Sequence, residues 1–422
     1  TSPEVTPERL AAARKAVISS SIGAALEWFD IIVYASFAVV IAKNFFPDGG
    51  AGLGLILTFA TFAISYLVRP IGGMFLGSYG DRRGRKKALT LTLMLMMLGT
   101  LIMALAPTHA TVGVWGGVII LISRIIQGIS AGGEFGTATT FLVETAPHRK
   151  VFYASWQVAS QGVSMLLASA FGFVLFNQLS EQDLYTWGWR IPFFAGLLIG
   201  PVGLYIRARL SETEEFNTGP REHSPIRATF THQLGRVLTG AACVGVATIS
   251  VYLILYMPTF AVNSLKVSAT AAYLGGVVAG AVLLMGVPFV GMLADRVGPV
   301  RVMSWAAVAA FVLAWPLFQI IISAPTVLGL VLVSAVLGVL TSFYFGPLPA
   351  MLTELFPTQV RTTGVSVAYN IGVTLLGGIA PLVLTWLLDI TGLLHAPSLY
   401  YMAVAVISLV GPILARRLYG AR

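Results

Sequence analysis

Twelve apolar runs, each about 20 residues or longer, follow one another along this 422-residue chain with only short polar breaks between them. They lie near residues 16–41, 52–76, 88–106, 112–142, 152–176, 190–207, 236–262, 270–293, 302–323, 326–353, 362–388 and 397–415. Runs of this length cross a bilayer as helices, because lipid offers no water to satisfy an open backbone. The fold class therefore reads as an all-α membrane protein. Composition agrees, since 57% of the residues are hydrophobic and 10% charged, against roughly 25% charged in soluble domains. A formal charge of +9 would suit nucleic acid only if it gathered on one face; these cations are spread between apolar runs, so no nucleic-acid partner is expected.

The cations set the topology. With twelve spans both termini share one side, and that side collects Arg9, Arg14, Lys15, the run Arg82 to Lys87, Arg149, Lys150, Arg207, Arg209, Arg221, Arg227, Arg236, Arg296, Arg301, Arg361, Arg416, Arg417 and Arg422. These are 21 of the 26 Lys and Arg. The opposite connections hold only Lys43, Arg190 and Lys266, and Arg69 and Arg124 fall inside spans. The positive-inside rule then makes both termini cytoplasmic. A bilayer of the bacterial inner membrane is the expected setting.

One phrase occurs twice, 214 positions apart: Gly77-Ser-Tyr-Gly-Asp81-Arg82-Arg-Gly84 and Gly291-Met-Leu-Ala-Asp295-Arg296-Val-Gly298. A second repeat, Glu144-Thr-Ala-Pro147 and Glu354-Leu-Phe-Pro357, is offset by 210 and ends a fourth span in each case. The chain reads as two copies of a six-span unit: a first bundle over 1–207, a polar Gly- and Pro-bearing linker over 208–235, and a second bundle over 236–422. Asp81, Glu144, Asp295 and Glu354 beside Arg82 and Arg296, with Gly77, Arg85 and Arg361 close by in the sequence, are expected to form a charge lattice that shuts the cytoplasmic side; solvated loop charge is the plainer alternative. A lone Cys243 excludes disulfides and thiolate metal sites, and no phosphate-binding loop is present, so neither cofactor nor enzymatic activity is expected.

The loop Gly77 to Lys87 resembles the signature of the major facilitator superfamily. Leu26-Glu-Trp-Phe-Asp30, Arg69-Pro-Ile-Gly-Gly, Arg124-Ile-Ile-Gln-Gly-Ile-Ser-Ala-Gly-Gly-Glu134 and Trp187-Gly-Trp-Arg-Ile-Pro-Phe193 narrow the resemblance to its metabolite:proton symporter branch. Phe152-Tyr-Ala-Ser-Trp-Gln157-Val-Ala-Ser-Gln161 is similar to the citrate and tricarballylate carriers of that branch. The second loop departs from the first, reading Gly298-Pro-Val-Arg301 where the first has Gly84-Arg-Lys-Lys87, which puts its anchoring in doubt. The resemblance implies two six-helix bundles and proton-coupled import of a small carboxylate by alternating access, most simply a tricarboxylate. Carriage of 2-oxoglutarate, shikimate, or proline and betaine stays open, and a single copy is expected to suffice.

Ionisable residues at membrane depth are costly and are functional candidates by default. Five lie inside the spans of the first half: Glu27, Asp30, Arg69, Arg124 and Glu134. At about 1.5 Å per residue, Glu134 and Arg69 sit at similar heights and are expected to pair, and Asp30 and Arg124 lie at or beyond the midplane within reach of each other. An Arg fork binds a carboxylate at two points, so Arg124 is the first choice for an anionic substrate and Arg69 the second. Desolvation favours a neutral carboxyl and a nearby cation an ionised one, so Asp30, Glu134 or Glu27 is expected to take a proton when its partner Arg turns to substrate. Tyr34, Gln127, Gln157 and Gln161 add polar contacts from the first half; Tyr252, Tyr256, Tyr369 and Asn370, with Tyr344, are the candidates of the second. Each has a purely architectural alternative, a fixed salt bridge or an interhelical hydrogen bond.

Overall fold

The computed structural model describes residues 7–47, 50–213, 216–217 and 222–421. Arg221 and Arg422 lie outside them, as does the side chain of Arg9. Among the described residues twelve helices have the length and apolar character to cross a membrane: α1 Ala11–Ser36, α2 Leu53–Arg83, α3 Arg85–Leu105, α4 Trp115–Thr145, α5 Pro147–Gln178, α6 Gly188–Ala208, α7 Gly245–Asn263, α8 Ala271–Val297, α9 Pro299–Ser323, α10 Val327–Leu355, α11 Thr358–Thr391 and α12 Ala396–Tyr419. No strand occurs among these residues. The chain is a multi-pass membrane protein, with twelve such helices among the described residues.

Hydropathy marks where the lipid-facing stretch ends, and several helices run past it. The second apolar run stops near residue 76, yet α2 continues through Asp81 to Arg83 because that last turn is held by polar contacts rather than by lipid. Gly84 then turns at φ +113° and α3 starts at the next residue. Gly298 repeats this at φ +102° between α8 and α9. A side chain at either position would be strained there, which gives the repeated glycine spacing its physical cause. The seventh run is interrupted: a helix Leu234–Ala242 ends at Cys243, and α7 begins at Gly245. In α11 the regular winding widens into a π-type turn over Thr374–Gly378, just ahead of Pro381.

The first six and last six helices meet along two seams. In one, α5 packs on α8, where a Cβ on Gly162 would come within 2.7 Å of the Gly280 carbonyl and one on Gly280 within 2.7 Å of the Gly162 carbonyl. Only small residues let two backbones lie so close. In the other, α2 packs on α11: Thr374 Oγ1 donates to the Tyr66 carbonyl at 2.7 Å. Asn370 Nδ2 bonds the Gly132 carbonyl of α4 at 2.7 Å. Near the far end of the first seam, Tyr273 of α8 donates to the Ser36 carbonyl of α1 at 2.7 Å. Contacts between the halves thus extend to the end of the first seam away from the repeated loops.

Candidate functional site

Helix α1 carries Gly23, Glu27, Asp30 and Tyr34 at intervals of four, three and four residues. This spacing keeps them on one face, and each of the three tiers they define holds a buried arginine. In the first tier Asp30 Oδ2 accepts from Arg124 Nη2 at 3.0 Å and Gln127 Nε2 at 2.6 Å, while Oδ1 accepts from Thr100 at 3.1 Å. The Arg124 guanidinium lies 4.2 Å from the centre of the Tyr34 ring, whose hydroxyl meets Thr61 at 2.5 Å. The expected encounter of Asp30 with Arg124 is present.

The second tier pairs Glu27 with Arg69 at 3.3 Å. Arg69 also sits 4.0 Å from the centre of the Tyr66 ring, and its Nε and Nη1 make no hydrogen bond among the described residues. In the third tier Glu134 is bound by Arg207 and by the hydroxyl of Thr92, and Arg207 reaches on to the Leu89 carbonyl. A Cβ on Gly23 would fall on this pair, so glycine is what lets α1 pass it. Two expectations are corrected here. Glu134 does not pair with Arg69, because Glu27 lies nearer on α1; and Arg207 is not a loop cation, since it is fully buried at the end of α6.

The remaining candidates divide. Gln157 links α5 to α4, accepting from Thr139 at 2.7 Å and donating to the Phe135 carbonyl at 3.3 Å, whereas both amide atoms of buried Gln161 lack a hydrogen bond among the described residues. Tyr252 brings its ring 5.3 Å from Tyr66 and 6.2 Å from Trp28. Tyr369 stacks on Phe135 with ring centres 3.4 Å apart. Tyr256 bonds Thr385 at 3.0 Å and lies against Phe59. Asn370 is the cross-seam contact already described. Tyr344 does not join them: its hydroxyl turns away to the Ser408 carbonyl of α12 at 2.8 Å.

On the face bearing both repeated loops the halves are pinned crosswise. Asp81 accepts from the Thr362 and Thr363 amides at 3.3 and 2.9 Å and from the Thr363 hydroxyl at 2.6 Å, at the start of the main helical stretch of α11. Asp295 accepts from the Val151 and Phe152 amides, each at 3.1 Å, at the start of α5. Carboxylates at helix N-termini meet unsatisfied N–H groups and the positive end of the helix dipole. Arg85 lies 3.5 Å from Asp81 and 3.4 Å from Glu144; Arg361 lies 3.4 Å from Glu144, and Lys150 2.6 Å from Glu354. Thr363 Cα lies 3.0 Å from where a Cβ on Gly77 would be. Among the ion pairs of the described residues the lattice's carboxylates thus meet Arg85, Arg361 and Lys150, while the expected Arg82 and Arg296 are exposed. Sequence reasoning also missed Glu212, which accepts from the Arg85 and Lys86 amides at 3.1 and 3.2 Å, and Thr213, which donates to Glu144 at 2.8 Å.

Two six-helix sets, joined crosswise at one face and enclosing buried arginine–carboxylate pairs, define a secondary transporter rather than an enzyme. The chain belongs to the major facilitator superfamily, whose family model matches residues 20–381 and 277–422. It is 37% identical over 397 residues to a citrate-proton symporter of Klebsiella pneumoniae, covering 93% of this chain and 89% of that protein. A proline/betaine transporter of Escherichia coli strain K12 is 33% identical over 413 residues, with 94% and 82% covered. Among solved structures, the proton:xylose symporter XylE bound to 6-bromo-6-deoxy-D-glucose superposes with a TM-score of 0.78 at 16% identity, covering 97% of this chain and 96% of that one. The last likeness is one of fold.

Proposed function

We propose that the protein is a symporter that imports a small carboxylate, most simply a tricarboxylate such as citrate or tricarballylate, together with protons. The carrying observation is the buried Asp30–Arg124 pair, whose aspartate is also held by Gln127 and Thr100. A substrate carboxylate competes with Asp30 for the Arg124 fork. Asp30, losing its counter-ion in a dry site, takes a proton; on release of substrate Arg124 returns and the proton leaves. Substrate and proton thus move in the same cycle. Arg69 with its Nε and Nη1, and Gln161 with its amide, all without a hydrogen bond among the described residues, and Tyr252, Tyr256 and Tyr369 across the seam complete the binding surface in this reading, and Glu27 and Glu134 are its further proton sites.

The loops carrying Asp81 and Asp295 serve as the gate in this scheme. Both act on helix N-termini of the opposite half, so separating the halves breaks them together. Transport proceeds by the two bundles rocking about the central site, with the termini and this gate on the cytoplasmic side of a bacterial inner membrane. The names and similarity of the citrate-proton symporters support the substrate class. A second reading, a zwitterionic osmolyte, draws on the 33% relatives and on the rings of Trp28, Tyr66 and Tyr252, since aromatic faces suit a quaternary ammonium.

The test is uptake by proteoliposomes of labelled citrate, tricarballylate, 2-oxoglutarate, shikimate and betaine, with and without an acid-outside gradient. Saturable tricarboxylate uptake stimulated by the gradient is expected. Gradient-driven uptake of betaine alone would replace this reading with the osmolyte one.

A further inference from the structure

A second charged site lies outside the central one, at the membrane boundary between α9 and α12. Arg301 at the start of α9 and Arg416 and Arg417 at the end of α12 line a groove of about 580 Å³ together with Ser304, Trp305 and Ile413. All three arginines are exposed, and among the described residues none makes a salt bridge. Three guanidinium groups in one groove, none closed off by a salt bridge among the described residues, attract an anion. None of the groove's lining residues is acidic.

The groove continues into lipid. On α9 Trp305, Val308 and Val312 are 57%, 48% and 60% exposed, and on α12 Ile413, Val410 and Val406 are 38%, 48% and 51% exposed. These residues recur at helical spacing, so each helix presents a continuous apolar strip leading away from the arginines toward the bilayer centre. The arginines sit at the ends of these strips, and Trp305 stands where amphipathic rings collect at the headgroup level. A soluble anion would meet the cations without using the strips. A molecule with an anionic head and hydrocarbon tails uses both.

We propose that the α9–α12 groove is a binding site for an acidic phospholipid, its phosphate held by Arg301, Arg416 and Arg417 and its acyl chains laid along the exposed strips of the two helices. This site is independent of the substrate reading. Basic pockets between membrane helices recognise lipid head groups through the same chemistry. Arg301 and Arg416 also line the adjoining cavity that contains Asp295 and Glu354, so the lipid head would lie next to the second gate loop.

The experiment uses the full chain in detergent, measured by native mass spectrometry during titration with phosphatidylglycerol, with phosphatidylcholine, or with phosphatidylglycerol plus excess inorganic phosphate. Preferential retention of phosphatidylglycerol is expected, little affected by inorganic phosphate. Each arginine replaced by Gln should weaken retention about fivefold. The variant R301Q/R416Q/R417Q should therefore lose it, while R14Q/K15Q/K87Q, which removes as many exposed charges elsewhere on the same face, should keep it. The single change R417Q, at an exposed helix end, gives the graded loss without disturbing packing. Equal retention of phosphatidylcholine, displacement by inorganic phosphate, or equal loss in both triple variants would each overturn the proposal.

Discussion

A buried arginine shared between a carboxylate of the protein and a carboxylate of the substrate ties two ions to one cation. Asp30 and Arg124 have that arrangement, and their neutralisation should separate binding from coupling. Arg124→Ala is expected to weaken tricarboxylate affinity about 10- to 100-fold, the loss of a charged hydrogen-bonding partner. Asp30→Asn should still exchange substrate across the membrane in counterflow but fail to accumulate it under a pH gradient; accumulation by this variant would remove Asp30 as the proton carrier. Arg207 has a different part. It is the cation of Glu134, and Arg207→Ala strands a buried carboxylate, a loss of about 3–5 kcal/mol. A lower melting temperature in detergent is expected, largely restored by adding Glu134→Gln; restoration of stability without restoration of transport would support Glu134 as a proton site, and restoration of both would make the Glu134–Arg207 pair purely architectural. Sequence spacing was enough to find Asp30 with Arg124, because both fall inside apolar runs where a charge is conspicuous. It could not find Arg207, because an arginine at the end of a run looks like any snorkelling or loop cation. The available signal was indirect: Glu134, buried with Arg69 already claimed by nearer Glu27, still needs a cation.

At the level of helices, hydropathy located all twelve spans but misjudged their ends for a definite reason. It reports transfer into lipid, whereas helix ends here are set by polar contacts inside the protein, as where α2 carries Asp81 past the apolar run to reach the start of α11. The break at Cys243 interrupts a run that hydropathy reads as continuous, and the wide turn over Thr374–Gly378 is marked in the sequence only by Gly377, Gly378 and the following Pro381. The two repeated loops were legible, because a glycine forced to positive φ must stay glycine in both copies. Their partners were less so. Which cation meets which carboxylate depends on the crossing of α2 with α11 and of α8 with α5, and that register is a property of the assembled bundles. The linker was readable only as a polar connection, yet Glu212 and Thr213 from it enter the lattice.

For the molecule as a whole, the α5–α8 seam offers a direct reading of closure. A Cβ on Gly291 would lie 3.0 Å from the Ser155 Cβ toward one end, and a Cβ on Gly276 3.2 Å from the Ser169 Cβ toward the other. Both are within about 0.5 Å of the lower end of the Cβ separations found in disulfides. With Cys243 changed to Ser, the pairs Ser155→Cys/Gly291→Cys and Ser169→Cys/Gly276→Cys should each cross-link on mild oxidation, and each cross-link should stop uptake until reduced. Uptake that continues through both bridges would mean that the halves do not part along this seam.

The column on α1 sets a mechanical limit on any such motion. Because Glu27 and Asp30 hold Arg69 and Arg124 on α2 and α4, and Gly23 passes flush against the Glu134–Arg207 clasp, the helix behaves like a key seated in its wards. It cannot turn about its own axis without unseating all three tiers at once. Substrate and proton can exchange partners inside the first bundle, but the bundle itself has little freedom to twist, and the movement that exchange provokes is left to the surfaces between bundles, where glycine backbones lie bare along α5 and α8 and the polar ties gather at the gate.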